Sequence, residues 1–415
     1  MAVLALLIGR VIRFAVRLVR PGGGSALPGL VVSKLSPNLV YRAMRQFSEG
    51  VVVVTGTAGK STTTKMAVAI VRAHGVETFT NPSTANIEQG FFSTMVKSGT
   101  ITGKLPGEIA ILEMDEAHAA VFAKRVRPRI SVLLNVFEDQ LDRFIDPALV
   151  TEKLKQVAHA TTKVVISNAD DPNLNNIGGL VVEQVYFGLA HGLPELPYAK
   201  TYPDSAKRPE VAFEARSLRG RDLKVHTPFG STEFQLPSRG VHFAQDATAA
   251  LAIASEVLGD KFNLELATKV LDEIPPVFSR GEIRQINGQP VEFILIQNPI
   301  SFQLNLDNLP EQTGPIMLAI GRDVHDPSWL WTVNLKRLEK VAVVTGFNYA
   351  DAALLLKYHN IETTKLAEDY FKAIDAFMAI SWDGPGIKTV LYSADAMRRL
   401  RRYLGIVDPE EVNRV

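Results

Sequence analysis

The chain has 415 residues, 46% of them hydrophobic and 21% charged, with a formal net charge of +1. That length and balance fit a globular protein of two or three domains, each able to bury its own core, and a near-neutral chain presents no global field for nucleic acid. Cysteine is absent, which excludes disulfides, thiolate zinc sites and a cysteine nucleophile carried by this chain, and suits a reducing compartment.

Residues 1–19 are apolar but interrupted by Arg10, Arg13 and Arg17, with Arg20 following. A signal peptide places its charge ahead of the apolar stretch, and a spanning helix needs about 20 uninterrupted residues. The arginines recur at steps of three and four, so a helix carries them on one stripe. Two readings stand: peripheral contact with an anionic membrane surface, or packing on the body with the basic face solvated. Pro21-Gly22-Gly23-Gly24-Ser25 then breaks the helix as a hinge, setting 1–37 apart as a basic helix and hinge.

The chain is organised around Val51–Lys65, VVVVTGTAGKSTTTK. Four apolar β-branched residues predict a buried strand, and the threonines after Lys60 open a helix. Between them Gly56-Thr57-Ala58-Gly59-Lys60-Ser61-Thr62 has the chemistry of a phosphate site. Glycines let backbone N–H groups close around anionic oxygens, the helix start adds partial positive charge, Lys60 is a mobile cation, and Ser61 offers a hydroxyl to Mg²⁺.

Further strands are expected over Val76–Thr80, Glu108–Met114, Arg129–Val136 and Lys163–Ser167, alternating with helices, which predicts a parallel, doubly wound α/β sheet. Loops at the ends of such strands face the ligand crevice. These are Asn81-Pro82-Ser83-Thr84-Ala85-Asn86, Glu113-Met114-Asp115-Glu116, Glu138–Arg143 and Asn168-Ala169-Asp170-Asp171. Acidic residues at a strand end beside a phosphate loop commonly hold Mg²⁺.

These motifs resemble the Mur ligase family of ATP-dependent amide-forming enzymes. G-T-x-G-K-[ST]-[ST] and N-x-D-D are family patterns. Asn135-Val136-Phe137-Glu138-Asp139-Gln140-Leu141-Asp142-Arg143 has Gln where most members have His, the form of the MurT branch, as do Thr80–Ser83 and Leu112–Glu116. The resemblance implies ATP and Mg²⁺ as cofactors, with Ser61 and Glu113 on the metal and Asn168 near the nucleotide. The middle departs from it. MurT proteins usually carry a four-cysteine zinc ribbon within the stretch that corresponds to residues 190–240, and here Leu223–Leu236 reads instead as a β-hairpin around Pro228–Ser231, so no zinc is expected. On the alanine-rich helix predicted at Phe243–Leu258, Phe243 and Asp246 stand where the family has Asn near the adenine. Asp246 keeps an acceptor for the nucleotide.

Pro275-Pro276 marks a linker, giving an ATP-binding domain at 38–272 and a second, Rossmann-like α/β domain at 273–415 with strands at Val291–Ile296, Pro315–Ile320, Val341–Thr345 and Thr389–Ser393. Phe278–Glu282 is similar to the family's F-G-R-x-E, which implies that Arg280 reaches the ATP phosphates, against a plain ion pair with Glu282. Gly321-Arg322-Asp323-Val324-His325-Asp326-Pro327-Ser328-Trp329-Leu330-Trp331 is similar to A-D-G-x-D-x-S-W-x-W-D, with Thr332 in place of the last Asp. The resemblance implies that Asp326 completes a Cys–His–Asp triad in a separate GatD-like glutaminase, forming a heterodimer. Asp323 is the second candidate, and an Asx turn before Pro327 is the plain structural alternative.

The implied activity is ATP-dependent amidation of the α-carboxyl of D-isoglutamate in lipid II, in the cytoplasm or at the inner face of its membrane. Two other readings stand beside it. One is a stand-alone Mur-type amino-acid ligase, for which Lys153 and Lys155 lie out of register with the family's carbamylated lysine. The other is an ATP-binding scaffold without catalysis.

Overall fold

The structure is a computed structural model that describes residues 2–19, 26–82, 87–137, 146–175, 177–199, 207–277 and 279–406. The Pro21–Ser25 hinge, the Ser83–Asn86 end of one loop, the Glu138–Arg143 motif and Phe278 lie outside the described residues. The described residues form two compact units, one made of those up to residue 137 with Asp146–Leu236 and Val241–Ile274, the other of Pro237–Gly240 and those from Pro275 onward.

The first unit holds β1 (Val51–Thr55), β2 (Thr78–Phe79), β3 (Ile109–Glu113), β4 (Ile130–Leu133), β5 (Val164–Asn168), β6 (Glu183–Leu189), β7 (Phe213–Arg219), β8 (Asp222–Thr227) and β9 (Gly230–Gln235). They form one sheet in the order β2-β3-β1-β4-β5-β6-β7-β8-β9. Pairing is parallel from β2 through β7 and antiparallel across β7-β8-β9. Strands β1 to β5 are buried along their whole length, which is why they read as unbroken apolar runs: helices cover both faces.

The covering helices of this unit are α1 (Ala2–Val19), α2 (Ala26–Leu35), α3 (Leu39–Met44), α4 (Lys60–Ala73), α5 (Glu88–Ser98), α6 (Glu116–Val126), α7 (Pro147–Ala160), α8 (Val241–Leu258) and α9 (Leu264–Glu273). Nearly every residue of α8 is buried, in keeping with its alanine-rich, all-round apolar sequence. The N-terminal helices are part of this unit. Gly9 of α1 lets α2 and α5 approach so closely that a Cβ there would sit 2.5 Å from Val32 and 2.9 Å from Val96.

The expected hairpin forms, Thr227 pairing with Gly230 across Pro228-Phe229, and it buries Leu223, Val225, Phe234 and Leu236.

The second unit has β10 (Arg280–Ile286), β11 (Gln289–Leu295), β12 (Ile316–Ala319), β13 (Lys340–Thr345), β14 (Glu362–Ala367) and β15 (Lys388–Tyr392) in the order β10-β11-β15-β12-β13-β14, parallel except for β10-β11. Helices α10 (Pro299–Asp307), α11 (Tyr349–Tyr358), α12 (Tyr370–Met378) and α13 (Ala394–Tyr403) pack on it. Alternation along β12 feeds two cores: Leu318 and Ile320 join Phe302, Leu330 and Leu355, whereas Met317 and Ala319 join Phe293, Phe377 and Tyr392. Both units are thus α/β, the first a parallel-dominated doubly wound sheet around a phosphate-type loop.

Candidate active site

In the first unit the loop after β1 lies at the end of a strand flanked by β3 on one side and β4 on the other, the crevice where open α/β sheets take ligands. Gly56 and Gly59 both adopt positive φ, +138° and +84°, and Gly59 is the N-cap of α4. Tight contacts fix both glycines. A Cβ on Gly56 would lie 2.9 Å from the Asn135 nitrogen, and one on Gly59 would lie 2.1 Å from Oδ1 of Asp246. Gly59→Ala is therefore expected to combine left-handed strain of about 1–2 kcal/mol with that collision. The measurable outcome is a thermal midpoint lowered by several degrees together with loss of nucleotide binding.

Asn135, the second residue beyond β4, braces the turn. Its Oδ1 accepts from Ala58 N–H (2.8 Å), its Nδ2 donates to the Ala58 carbonyl (3.1 Å), and its own carbonyl accepts from Thr57 N–H (3.0 Å). Phe137 N–H donates to the Thr57 hydroxyl at 3.2 Å. Sequence reasoning assigned the loop amides to phosphate as a group. The structure divides them: those of Thr57 and Ala58 hold the loop's shape, and the start of α4 carries the anion-attracting end. The first i→i−4 bond of that helix runs from Thr63 N–H to the Gly59 carbonyl, so the N–H groups of Lys60, Ser61 and Thr62 precede it. Lys60 curls back, its Nζ donating to the Gly56 carbonyl and, at 3.1 Å, to that of Thr57.

Register puts Glu113 opposite Val54, beside the exit of β1, and only 2% of it is exposed. Asn81 fixes that strand end through paired bonds with the Glu113 backbone, 3.1 and 3.0 Å. Asp115 is spent as the N-cap of α6. Among the described residues no cluster of three or more His, Asp and Glu side chains could grip a metal. Mg²⁺ needs no such cluster, since it takes one or two protein oxygens and fills its shell with phosphate and water. The hydroxyls of Thr55, Thr64 and Thr80, at the end of β1, the first turn of α4 and just past β2, are buried without a hydrogen-bond partner, which suits a polar occupant nearby.

Asp246 was read as an acceptor for the nucleotide, at a position where the family has Asn near the adenine. The structure sets its carboxylate against Gly59, accepting from the Thr63 hydroxyl at 3.2 Å, so it faces the phosphate loop. Phe243 is a core residue, 4% exposed. Asn168 is wholly buried. Its Nδ2 donates to the Leu134 carbonyl (2.8 Å) and the Tyr198 hydroxyl (3.2 Å), and its Oδ1 accepts from Asp170 N–H (3.0 Å). It fastens β5 to the residue after β4.

Sequence reasoning missed Tyr198, which stacks on Phe137 (centroids 5.3 Å apart) and takes a hydrogen bond from Gln245. It also gave no role to Asp171, whose carboxylate accepts from Val136 N–H (2.6 Å), Asn173 N–H (2.9 Å) and Asn173 Nδ2 (2.8 Å). Burial outweighs those donors and pushes its carboxyl up to about 7. Between about pH 4, where the unfolded group ionises, and pH 7 the folded state binds the extra proton, so stability falls as pH rises through that window. Urea unfolding at about pH 5 and pH 7.5 should show a drop of up to a few kcal/mol in the wild type. Asp171→Asn, which gives up an acceptor for Val136, should be weaker at the lower pH but have a flatter profile.

In the second unit Glu282 pairs with Arg284 (2.5 Å) and the buried Arg401 (2.8 Å) and accepts from Ser279 N–H (3.1 Å). The plain Arg280–Glu282 pair considered from sequence is not among these contacts. Arg280 is half-buried at the start of β10, beside Ser279 with φ +63°.

The loop after β12 separates its two aspartates. Asp323 is consumed by the start of α13, accepting from the Ser393 hydroxyl (2.6 Å), Ala394 N–H (2.8 Å) and Asp395 N–H (3.0 Å). Asp326 is exposed. It caps the short 3₁₀ helix Pro327–Thr332, accepting from Ser328 N–H at 2.9 Å, so the Asx-type turn considered from sequence does form. Hydrogen bonds from the Ser328 hydroxyl and N–H hold its carboxyl below the usual range, keeping it ionised. Trp329 packs on the core, and Trp331 stays 42% exposed with its ring edge-on to Tyr358.

Two family profiles match the chain, the Mur ligase middle domain over residues 54–254 and the MurT ligase C-terminal domain over 295–391. The chain belongs to the Mur ligase family. Within that family it is similar to MurT. It is 26% identical to subunit MurT of lipid II isoglutaminyl synthase (glutamine-hydrolyzing) from Streptococcus pneumoniae, covering 88% of each chain. It is 22% identical to the same subunit from Staphylococcus aureus strain COL, covering 84% of this chain and 86% of that one. Solved Mur ligases share the fold. The MurF ligase of Thermotoga maritima in complex with ADP superposes with TM-score 0.65 at 19% identity, covering 92% of this chain and 85% of the other. A pseudomurein peptide ligase type C from Methanothermus fervidus gives 0.66 at 16%, covering 87% and 79%.

Proposed function

We propose that this Mur ligase is the synthetase subunit of a glutamine-dependent amidating enzyme, acting on the α-carboxyl of D-isoglutamate in lipid II. The reading is supported by the similarity to MurT subunits over 84–88% of this chain. One structural observation carries it further: of the two aspartates in the MurT-type loop, the chain satisfies Asp323 internally and leaves Asp326 ionised in solvent, while having no cysteine of its own to serve. A carboxylate so placed suits a triad completed in another chain, fixing a histidine's tautomer as a partner thiol is activated.

In the proposed reaction a carboxylate oxygen of the substrate attacks the γ-phosphorus of ATP and ADP leaves. Ammonia released from glutamine by a GatD-like partner then attacks the acyl carbon, phosphate departs, and the amide forms. The N–H groups at the start of α4 and the Lys60 ammonium bind and orient the phosphates, and Gly59 lets them approach the backbone. Mg²⁺, held by Ser61 and Glu113, would neutralise charge on the phosphates.

The deciding assay uses this chain with and without a GatD-like glutaminase, with lipid II, ATP and glutamine. Amide formation that needs both chains is expected. Turnover by this chain alone with an amino acid would favour a stand-alone ligase, and ATP binding without turnover in either mixture a scaffold.

A further inference from the structure

Helix α1 turns outward a face that a solvated surface helix does not carry. Val3, Leu4, Leu7, Val11 and Phe14 fall on one stripe about 100° wide at 3.6 residues per turn. Val11 and Phe14 are 68% and 67% exposed, and Leu4 58%. The opposite side is fixed to the protein: Ala5 and Leu6 are buried and Gly9 abuts Val32 and Val96. Helix α2 leaves Leu27, Leu30 and Leu35 exposed as well. Arg10 falls at the edge of the stripe in helical projection and is tied down by a hydrogen bond from its guanidinium to the Gly99 carbonyl.

Charge decides the occupant. Residues 1–48 contain seven Arg and Lys and no Asp or Glu, so the whole chain's +1 leaves −6 for the remainder. A second copy of this face would bring cations against cations, whereas anionic headgroups complement them. We propose that this face docks on an anionic phospholipid bilayer, α1 lying in the interface with Leu4, Leu7, Val11 and Phe14 in the headgroup–acyl boundary. No described helix is long and apolar enough to cross a membrane. The reading from sequence alone made the arginines the contact. In the present proposal the apolar stripe makes it, with Arg10 at its edge. The inference rests on this surface and not on the reaction proposed above.

The test is flotation of the full chain with vesicles of equal parts phosphatidylglycerol and phosphatidylcholine, and with phosphatidylcholine alone. Wild type is expected to float with the anionic vesicles, more weakly as salt rises from about 0.05 to 0.5 M, and far less with the neutral ones. Val11→Gln with Phe14→Gln should lower partitioning at least roughly tenfold while leaving the thermal melt unchanged, because both side chains already face water. Leu4→Gln with Leu7→Gln is a second pair should the first disturb the melt. Equal flotation of wild type and both variants, or equal binding to neutral vesicles, overturns the proposal. So does a wild-type dimer in light scattering that the variants dissolve without any flotation, which would make the occupant a second copy.

Discussion

Replacing Lys60 by alanine is expected to lower ATP-dependent amide formation by roughly 10²–10³-fold, the usual cost of one preorganised group facing transition-state charge. Lys60 is the cation of the loop, and at rest its ammonium is held by the Gly56 and Thr57 carbonyls. In the proposed reaction phosphate oxygens would need only to outcompete these two neutral acceptors. The effect should fall mainly on kcat, since the α4 N-terminus and the Asn135-braced turn persist in the variant. Wild-type turnover in Lys60→Ala would end the assignment of this loop to the transferred phosphate.

The second large effect is expected from Asp326→Asn, measured as glutamine hydrolysis by the partner in the presence of this chain. Exchanging the aspartate of a catalytic triad for asparagine leaves the shape and removes the charge that holds the histidine in its working tautomer, a loss of up to about 10⁴-fold in well-studied hydrolases. The asparagine can still accept from Ser328 N–H, so the 3₁₀ turn should survive and ATP binding by the other unit should not move. Asp323→Asn is the informative contrast. It withdraws charge from the capped start of α13 and should register as lost stability of the second unit. If glutaminase activity tracks Asp323 and ignores Asp326, the roles have been assigned the wrong way round.

Much of the fold was legible because its signals are local. The strands that read clearly were those buried on both faces, such as Val51–Val54 and Ile109–Leu112, where unbroken apolar runs leave little alternative. Four strands escaped: β10 and β14 are sheet edges facing water, and β6 and β7, inside the first sheet, are only partly buried, so the polar residues along all four break any apolar run. One signal was present and unused. Asn287-Gly288, both at positive φ, is the two-residue turn that closes β10 onto β11.

The amino-acid sequence by itself determined the phosphate loop, because strand, glycines, lysine and helix start are contiguous and each shapes its neighbour. It also excluded a thiol nucleophile among these 415 residues. Only the tertiary structure decided how the loop is held, through Asn135 and Asp246, and which of two aspartates three residues apart is exposed. Those outcomes depend on partners 70 to 190 residues away, such as Asp323 with Ala394 or Thr63 with Asp246. No local pattern encodes such pairings, since they form only when the sheets bring distant strand ends together.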